Sequence, residues 1–244
     1  MPKDASSVKV ATPQRRRVAK GTRVLEAYAR LRGEILDLTL APGMLLDENE
    51  HVKRLKLSRT PIHEAFVRLA AEGLLIMQPN RQAQVAPLNL ADLPRFIEAI
   101  DLLHRAVVNL AAKRRTDVDI AKMQAAADEF ARAATPGSTL AATEANGQFH
   151  LAVAEASHNP YLSSQYERLL VQGLRMLRSP LVYSTLGAQE LKQQVAEHRE
   201  IIDAIVQRDA KASEKIAQRH WNNFVERYVK NLQENLTQDI SISS

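Results

Sequence analysis

Apolar residues recur every three or four positions through most of the 244-residue chain, the spacing that gives a helix one buried face. From residue 91 onwards the pattern forms long blocks separated by short breaks such as "TPGS" and "SHNPY". It predicts helices near residues 91–115, 118–134, 139–157, 160–178, 187–208 and 210–235. Since no block there alternates like a strand, we predict an all-α antiparallel helical bundle over residues 88–236.

Residues 23–87 have a different organisation, with three helical blocks followed by two β-prone runs. The first helix is "RVLEAYARLRGEILDLTL", the second starts at Asp47, and the third starts at Ser58 or Thr60 and stops at Gly73. The β-prone runs flank Pro79-Asn80-Arg81, which favours a hairpin. This order predicts a winged helix-turn-helix, whose third helix starts in the DNA major groove. The predicted fold class is mainly α, an N-terminal winged helix-turn-helix with a small β-hairpin wing plus the C-terminal bundle.

The charge of the chain is basic, with a formal net charge of +5 and a pI near 9.5. Such an excess is common in nucleic-acid binders, although many other proteins share it. Residues 1–22 are rich in Lys and Arg and poor in large apolar residues, so we expect a basic disordered arm. The alternative is a solvated tail without a partner. Residues 237–244 are expected to form a disordered tail.

The absence of certain residues also narrows the function. The chain has no cysteine, which excludes disulfides, thiolate metal sites and cysteine nucleophiles, and fits a reducing cytoplasm. The chain contains no run of about 18 apolar residues, so no membrane span is expected, and the N-terminal residues include no apolar signal segment. We therefore expect a cytoplasmic, nucleoid-associated protein.

Several histidines stand where a helix would place a buried aliphatic residue. The positions that share such a face are Leu191, Val195, His198, Ile202 and Ile205 in one block, and Ile216, His220 and Phe224 in the next. His198 and His220 lie about ten residues either side of the "RDA" turn, so an antiparallel helix pair places both rings at one level. Asn146 and His150 share a face four residues apart.

A single inward-facing histidine is usually an ordinary core residue. Several imidazoles converging in an apolar bundle are costly to bury unless they are paired, and a divalent cation pairs them while leaving positions open for water or a carboxylate. The residues therefore predict a metal site, with a metal-free polar pocket as the alternative.

The string "LRGEILDLTLAPGMLLDENEHVKRLKLSRTPIHEAFVRLAAEGLLIMQPN" resembles the DNA-binding domain of the GntR family of bacterial transcription regulators. "FHLAVAEASHNPYL", "EHREIIDAI", "RDAKA" and "QRHW" resemble the helical effector domain of its FadR subfamily, the FCD type. The resemblance implies a homodimer on palindromic double-stranded operator DNA. It also implies a small carboxylate metabolite as effector, and a divalent metal ion of the zinc, nickel or manganese class.

The resemblance also implies which residues carry these functions. The DNA-binding candidates are Ser58, Arg59, Thr60, His63, Asn80 and Arg81, with His63 standing where the family usually has arginine. The metal candidates are His150, His198, His220 and Asn146, where the family usually has aspartate at the last position. The residues themselves, rather than the resemblance, suggest Asp101, His104, Arg105 and Arg175 as effector-pocket candidates, with His104 standing where the family usually has glutamate.

The predicted function is a metabolite-responsive regulator, most simply a repressor, rather than an enzyme. A metal-dependent hydrolase is the rival, but its nearest candidate base, Glu197, is the helix neighbour of His198 and is expected to point away. A purely structural metal is the other alternative. Chelation separates the two, because a structural metal supports stability whereas a sensing metal supports the effector response.

Overall fold

The computed structural model describes residues 13–79, 81–137, 139–177 and 186–238, which form nine helices and a small three-stranded sheet. The helices are α1 Pro13–Leu36, α2 Glu48–Leu55, α3 Arg59–Ala71, α4 Leu93–Arg114, α5 Asp117–Ala133, α6 Thr139–Ala156, α7 Pro160–Leu177, α8 Ala188–Val206 and α9 Ala210–Gln238. The strands are β1 Leu45–Leu46, β2 Leu75–Ile76 and β3 Ala83–Val85. The mainly α fold class, with a winged helix-turn-helix and a helical C-terminal domain, is confirmed.

Two compact units divide the chain between Ala86 and Pro87, and residues 36–38 are grouped with the C-terminal unit. The N-terminal unit has its core on the inner face of α3, where Ile62, Phe66 and Leu69 are completely buried. Lys56 adopts a left-handed backbone conformation, with φ of 53°, and ends α2 two residues before α3 is capped. This tight connection turns the start of α3 towards the surface.

The wing is an antiparallel sheet in the order β1-β3-β2. The two runs predicted to form a hairpin pair as β2 and β3, with Leu75 opposite Val85. Strand β1 was not predicted, because two residues are too few to show alternation. Asn80 at the predicted turn lies outside the described residues.

The predicted termini need correction. Helix α1 begins at Pro13, so the expectation of a disordered arm is wrong for residues 13–22, while residues 1–12 lie outside the described part. It also ends at Leu36, before the predicted stop, and Leu38 follows with a positive φ of 64°. Helix α9 continues to Gln238, two residues into the predicted tail, and residues 239–244 are not described.

The C-terminal unit is a bundle in which α4 packs against α6, α7, α8 and α9. Thr116 starts α5 with a capping box, since its hydroxyl accepts from the Asp119 amide while the Asp119 carboxylate accepts from the Thr116 amide. Arg208, with a φ of 58°, turns the chain between α8 and α9. The resulting antiparallel pair brings the middle of α8 beside the middle of α9. Among the described residues, no helix is both long and apolar enough to cross a membrane.

Candidate metal and effector site and DNA-binding surface

Three imidazoles from three helices meet inside the bundle: His150 on α6, His198 on α8 and His220 on α9. We call them the histidine cluster. Their exposed fractions are 6%, 0% and 5%, and one ring nitrogen of each lies within 4.8 Å of the others. The ring centroids of His198 and His220 are 5.1 Å apart, the arrangement predicted from an antiparallel helix pair.

The spacing of the cluster suits a divalent ion. The Nε2 atoms of His150 and His220 lie 3.4 Å apart. A tetrahedral site with metal–nitrogen bonds of 2.0–2.1 Å separates its nitrogens by about 3.3–3.4 Å. Both ring nitrogens of His198 and Nδ1 of His150 are buried without a hydrogen-bond partner among the described residues. Buried imidazole nitrogens without partners are the ligand atoms such an ion needs.

The ring of His220 is held by a carboxylate. Its Nδ1 donates to Oε2 of Glu197 at 2.7 Å, which leaves Nε2 facing the cluster. Glu197 also accepts from Asn223 at 2.8 Å and from Arg227 at 3.4 Å. Burial alone raises the pKa of Glu197, but the hydrogen bond and charge of His220, the hydrogen bond of Asn223 and the charge of Arg227 lower it to about 2.

Glu197 corrects one expectation from the sequence. It does not point away from the cluster, because α9 packs against α8 on the side where Glu197 lies. Its partners His220, Asn223 and Arg227 recur at three- and four-residue spacing on α9. That spacing opposite a buried carboxylate is the signal that could have revealed the contact. A carboxylate behind a ligand histidine fixes the ring and increases its basicity as a ligand.

His150 and His198 are in the form that binds metal. Burial first, and then the neighbouring imidazoles, lower the pKa of His150 and of His198 well below the ordinary 6.5. Both are therefore neutral near pH 7, with a lone pair available to a cation. Asn146 is half-buried one helical turn before His150 and lines the same cavity, so its amide oxygen is a candidate neutral donor on α6.

His104 forms a fourth wall of the cluster. Its ring centroid lies 5.0 Å from that of His150 and 5.8 Å from that of His220, and it stacks on Tyr166. Burial and the nearby His220 lower its pKa to about 3. Neither of its nitrogens has a partner among the described residues.

The other expected pocket residues lie elsewhere. Arg105 Nε donates to Asp101 Oδ2 at 3.1 Å and its guanidinium also reaches Glu214 at 3.3 Å, so these charges neutralise one another between α4 and α9. Arg175 is buried on α7, and burial lowers its pKa. The cavity beside the cluster is lined by none of the four expected pocket residues, Asp101, His104, Arg105 and Arg175.

That cavity, which we call the bundle cavity, has a volume of about 60 Å³ and is bordered by His150 and His220. Its other described lining residues are Leu93, Phe96, Ile97, Ile100, Asn146, Gly147, Tyr166, Leu170, Gly173, Leu174, Gln194, Trp221, Phe224, Val225 and Tyr228. A small molecule in this cavity would lie against the open side of the histidine cluster.

The second candidate site is a concave surface of the N-terminal unit, between the starts of α2 and α3 and the wing. Arg59, Thr60, His63 and Arg81 all line it. Arg59 is 75% exposed, and its Nε lies 3.7 Å from Oε2 of Glu48, while Nδ1 of His63 lies 2.8 Å from Oε1 of the same carboxylate. Glu48 was not predicted here. Ser58 caps α3 by position, without a side-chain hydrogen bond to the helix, so its hydroxyl is not used as a cap.

A winged helix-turn-helix with an exposed basic side chain at the start of its third helix, attached to a helical bundle with a buried polar cluster, defines a DNA-binding transcriptional regulator. Comparison with known families agrees. Residues 23–85 match the gntR family of bacterial regulatory proteins, and residues 95–223 match the FCD domain. The chain belongs to the GntR family of regulators that carry an FCD domain, and it is not an enzyme.

Individual relatives are also transcriptional regulators. An HTH-type transcriptional regulator from an unstable DNA locus of Streptomyces ambofaciens is 30% identical over 201 residues, which are 75% of each chain. The galactonate operon transcriptional repressor of Escherichia coli is 29% identical over 197 residues, or 72% of this chain and 83% of the relative. The solved structure of E. coli McbR/YncC has the same fold, with a TM-score of 0.67 and 22% identity, covering 85% of this chain and 98% of that one.

Proposed function

We propose that this regulator binds a palindromic operator as a homodimer in the cytoplasm and represses transcription until a small organic acid binds the bundle cavity. The histidine cluster would hold a divalent metal ion, which would attract the carboxylate of the acid, as in the FadR-type branch of the family. The observation that carries the proposal is the opening of a buried, metal-suited cluster into a cavity of the same bundle.

At the DNA, the residues at the start of α3 have complementary tasks. The guanidinium of Arg59 matches the O6 and N7 atoms of guanine, or a phosphate, and Glu48 limits its freedom before DNA arrives. Thr60 and Ser58 offer hydroxyls to phosphates, and His63 offers one ring donor to a base or phosphate. Arg81, with Asn80, extends the contact to the backbone beside the wing. These contacts favour a protein that reads sequence through α3 and holds its position through the wing.

In the bundle, His150, His198 and His220 would hold the metal, and Asn146 would supply a neutral oxygen. A bound divalent ion contributes a Lewis-acidic centre that attracts the carboxylate of the effector. Glu197 keeps the His220 ring in position, while the apolar walls exclude water from the ion. A shift of α4 could carry the response, because α4 packs on α6, α8 and α9, which together supply the cluster. Such coupling typically changes DNA affinity by about 5- to 150-fold.

The test combines metal analysis with DNA binding. Untagged protein purified without chelator is expected to contain about one divalent ion per chain by elemental mass spectrometry, and a His198→Ala/His220→Ala variant is expected to contain none. Fluorescence anisotropy with DNA from upstream of the protein's own coding region, at fixed salt, should show dimer binding that weakens when the effector is added. A metal-free protein, even after incubation with zinc, nickel or manganese, would contradict the metal part of the proposal.

The same experiment distinguishes a structural metal. Chelation that lowers the melting temperature strongly, while the effector still changes DNA affinity, would assign the ion to stability alone. Chelation that removes the effector response with a small change in melting temperature is the expected result.

A further inference from the structure

The walls of the bundle cavity carry little polarity apart from the histidine cluster. None of the described lining residues is Asp, Glu, Lys or Arg. Aromatic and aliphatic side chains from α4, α7 and α9 form the wall, among them Phe96, Leu170, Phe224 and Val225. The polar side chains Asn146 and Gln194 lie with His150 and His220. The ligand that fits this lining has one charged end and an otherwise apolar body.

From this lining and the small volume of the cavity we infer that the effector is an apolar monocarboxylate, a short aliphatic acid of a few carbons, rather than a polyhydroxylated acid. The inference rests on the proposed function, since it specifies the organic acid of the same site. The carboxylate would face the cluster, and the apolar body would lie between α4, α7 and α9.

Hydrogen bonding explains why a polyhydroxylated acid is disfavoured. A hydroxyl group on each carbon would need a partner along the length of the cavity, and each buried hydroxyl without one lowers affinity by about tenfold or more. The lining side chains that can form hydrogen bonds are few: outside the histidine cluster they are Asn146, Gln194, Tyr166, Tyr228 and Trp221. Of these, Oε1 of Gln194 and Nε1 of Trp221 are fully buried, out of reach of a molecule in the cavity. The lining therefore offers few partners for a ligand that carries several hydroxyl groups.

Arginines close to the bundle do not line the cavity. Arg105 is paired with Asp101 and Glu214, and Arg227 donates to Glu197 behind the cluster. Arg175 is buried on α7 after the lining residues Gly173 and Leu174, and it is not part of the lining either. A single carboxylate at the metal is the charge that this lining accommodates.

The experiment uses two three-carbon acids of equal charge, propionate and glycerate, because a cavity of about 60 Å³ has room for a body of only a few carbons. Both are titrated into the metal-loaded, full-length protein by isothermal calorimetry. We expect propionate to bind at least thirtyfold more tightly than glycerate, and about threefold to fourfold more tightly than acetate, which has one methylene fewer. Glycerate binding that equals or exceeds propionate binding would overturn the inference, and so would the absence of binding by both acids.

A pair of variants on α9 tests the location. Val225 lines the cavity, whereas Val229, one turn later, is 41% exposed and does not. Replacing valine by threonine keeps the shape and adds a hydroxyl. Val225→Thr should weaken propionate binding by at least threefold and leave glycerate unchanged, while Val229→Thr should change neither. Equal effects of the two variants on propionate would show that it does not bind in this cavity.

Measurements on the same samples keep this inference separate from the proposed function. A protein that holds metal and binds its DNA but takes neither acid refutes the apolar effector and leaves the regulator assignment in place. A protein that binds propionate through Val225 while its DNA affinity stays constant supports the ligand class and refutes the proposed regulation.

Discussion

Replacement of Glu197 by glutamine is the sharpest test of how the histidine cluster is built. The carboxylate accepts hydrogen bonds from His220, Asn223 and Arg227, and from Gln193 Nε2 at 3.2 Å. Glutamine has the same shape but no charge, and one of its two terminal atoms is a donor. It can therefore no longer hold the His220 ring and neutralise Arg227 together.

The size of the effect follows from the contacts. Loss of a carboxylate behind a ligand histidine typically weakens metal binding by about 10- to 100-fold, or about 1.4–2.7 kcal/mol. For the metal-free fold, the difference between the ordinary pKa of 4.5 and about 2 corresponds to roughly 3 kcal/mol as an upper figure. Because the pKa in the folded state is lowered, this stability is present above pH 4.5 and is lost as the pH falls towards 2.

The assay is competition between the protein and a chromophoric chelator for zinc at pH 7, with melting temperature followed by circular dichroism. Glu200→Gln is the matched control, since Glu200 lies on the same helix, is exposed and pairs only with Arg219 in the described structure. We expect Glu197→Gln to lose at least tenfold in metal affinity and Glu200→Gln to lose less than twofold. Equal metal affinities for Glu197→Gln and the unmodified protein would refute the role given to this carboxylate.

Three further substitutions test other parts of the molecule. Arg59→Ala should lower operator affinity at least tenfold in an anisotropy titration without changing the melting temperature. Arg95→Ala, which removes an exposed arginine of the other unit, should leave binding unchanged. An unaltered isotherm for Arg59→Ala would show that Arg59 does not contact DNA. Asn146→Asp adds a carboxylate beside the cluster and should raise zinc affinity by about tenfold, with exposed Asn222→Asp as control; no gain would place residue 146 outside the metal site. Asp119→Asn removes half of the capping box and the contact with His158, at a cost of about 1–2 kcal/mol at pH 7. Burial raises the pKa of Asp119, but the hydrogen bonds of Thr116 and the contact with His158 lower it on balance. The stability difference between Asp119→Asn and the unmodified protein should therefore shrink in thermal melts as the pH falls below 3.8. A stability difference that stays constant over that pH range would contradict this cause.

The helices of the bundle were predictable because their boundaries are marked by local chemistry. Thr116 caps α5, Pro160 occupies the first turn of α7, and Arg208 and Asp209 separate α8 from α9. Periodicity then identified the buried face of each helix, and the equal distance of His198 and His220 from the turn between α8 and α9 indicated that both rings lie at one level. These signals lie within a few residues of one another, so they need no knowledge of the partner helix.

The side-chain contacts that could not be predicted depend on the position of the neighbouring helix. Glu197 and His198 are adjacent in sequence and differ by about 100° around the helix, so either can face a neighbour. Because of the position of α9, both side chains face that helix: Glu197 contacts Asn223 and Arg227, and His198 contacts His220 in the cluster. In the same way, Asp101 and Arg105 are four residues apart on α4, and the opposing Glu214 draws Arg105 into a salt bridge on that side rather than into the cavity.

The charge balance of the cluster links its unusual residue to its ligand. In the proposed site, a divalent ion held by three imidazoles and the neutral amide of Asn146 would keep both positive charges, and Glu197 would compensate only through the His220 ring while it is also shared with Arg227. An apolar cavity stabilises such a charge poorly, so the ion would attract an anion from solution more strongly than a site with a carboxylate ligand would. An aspartate at position 146 would supply that negative charge permanently and compete with the effector for it. The amide at Asn146 would therefore weaken the hold on the metal and strengthen the dependence of the site on a bound organic acid. In the Asn146→Asp variant, metal affinity and acid affinity should accordingly change in opposite directions.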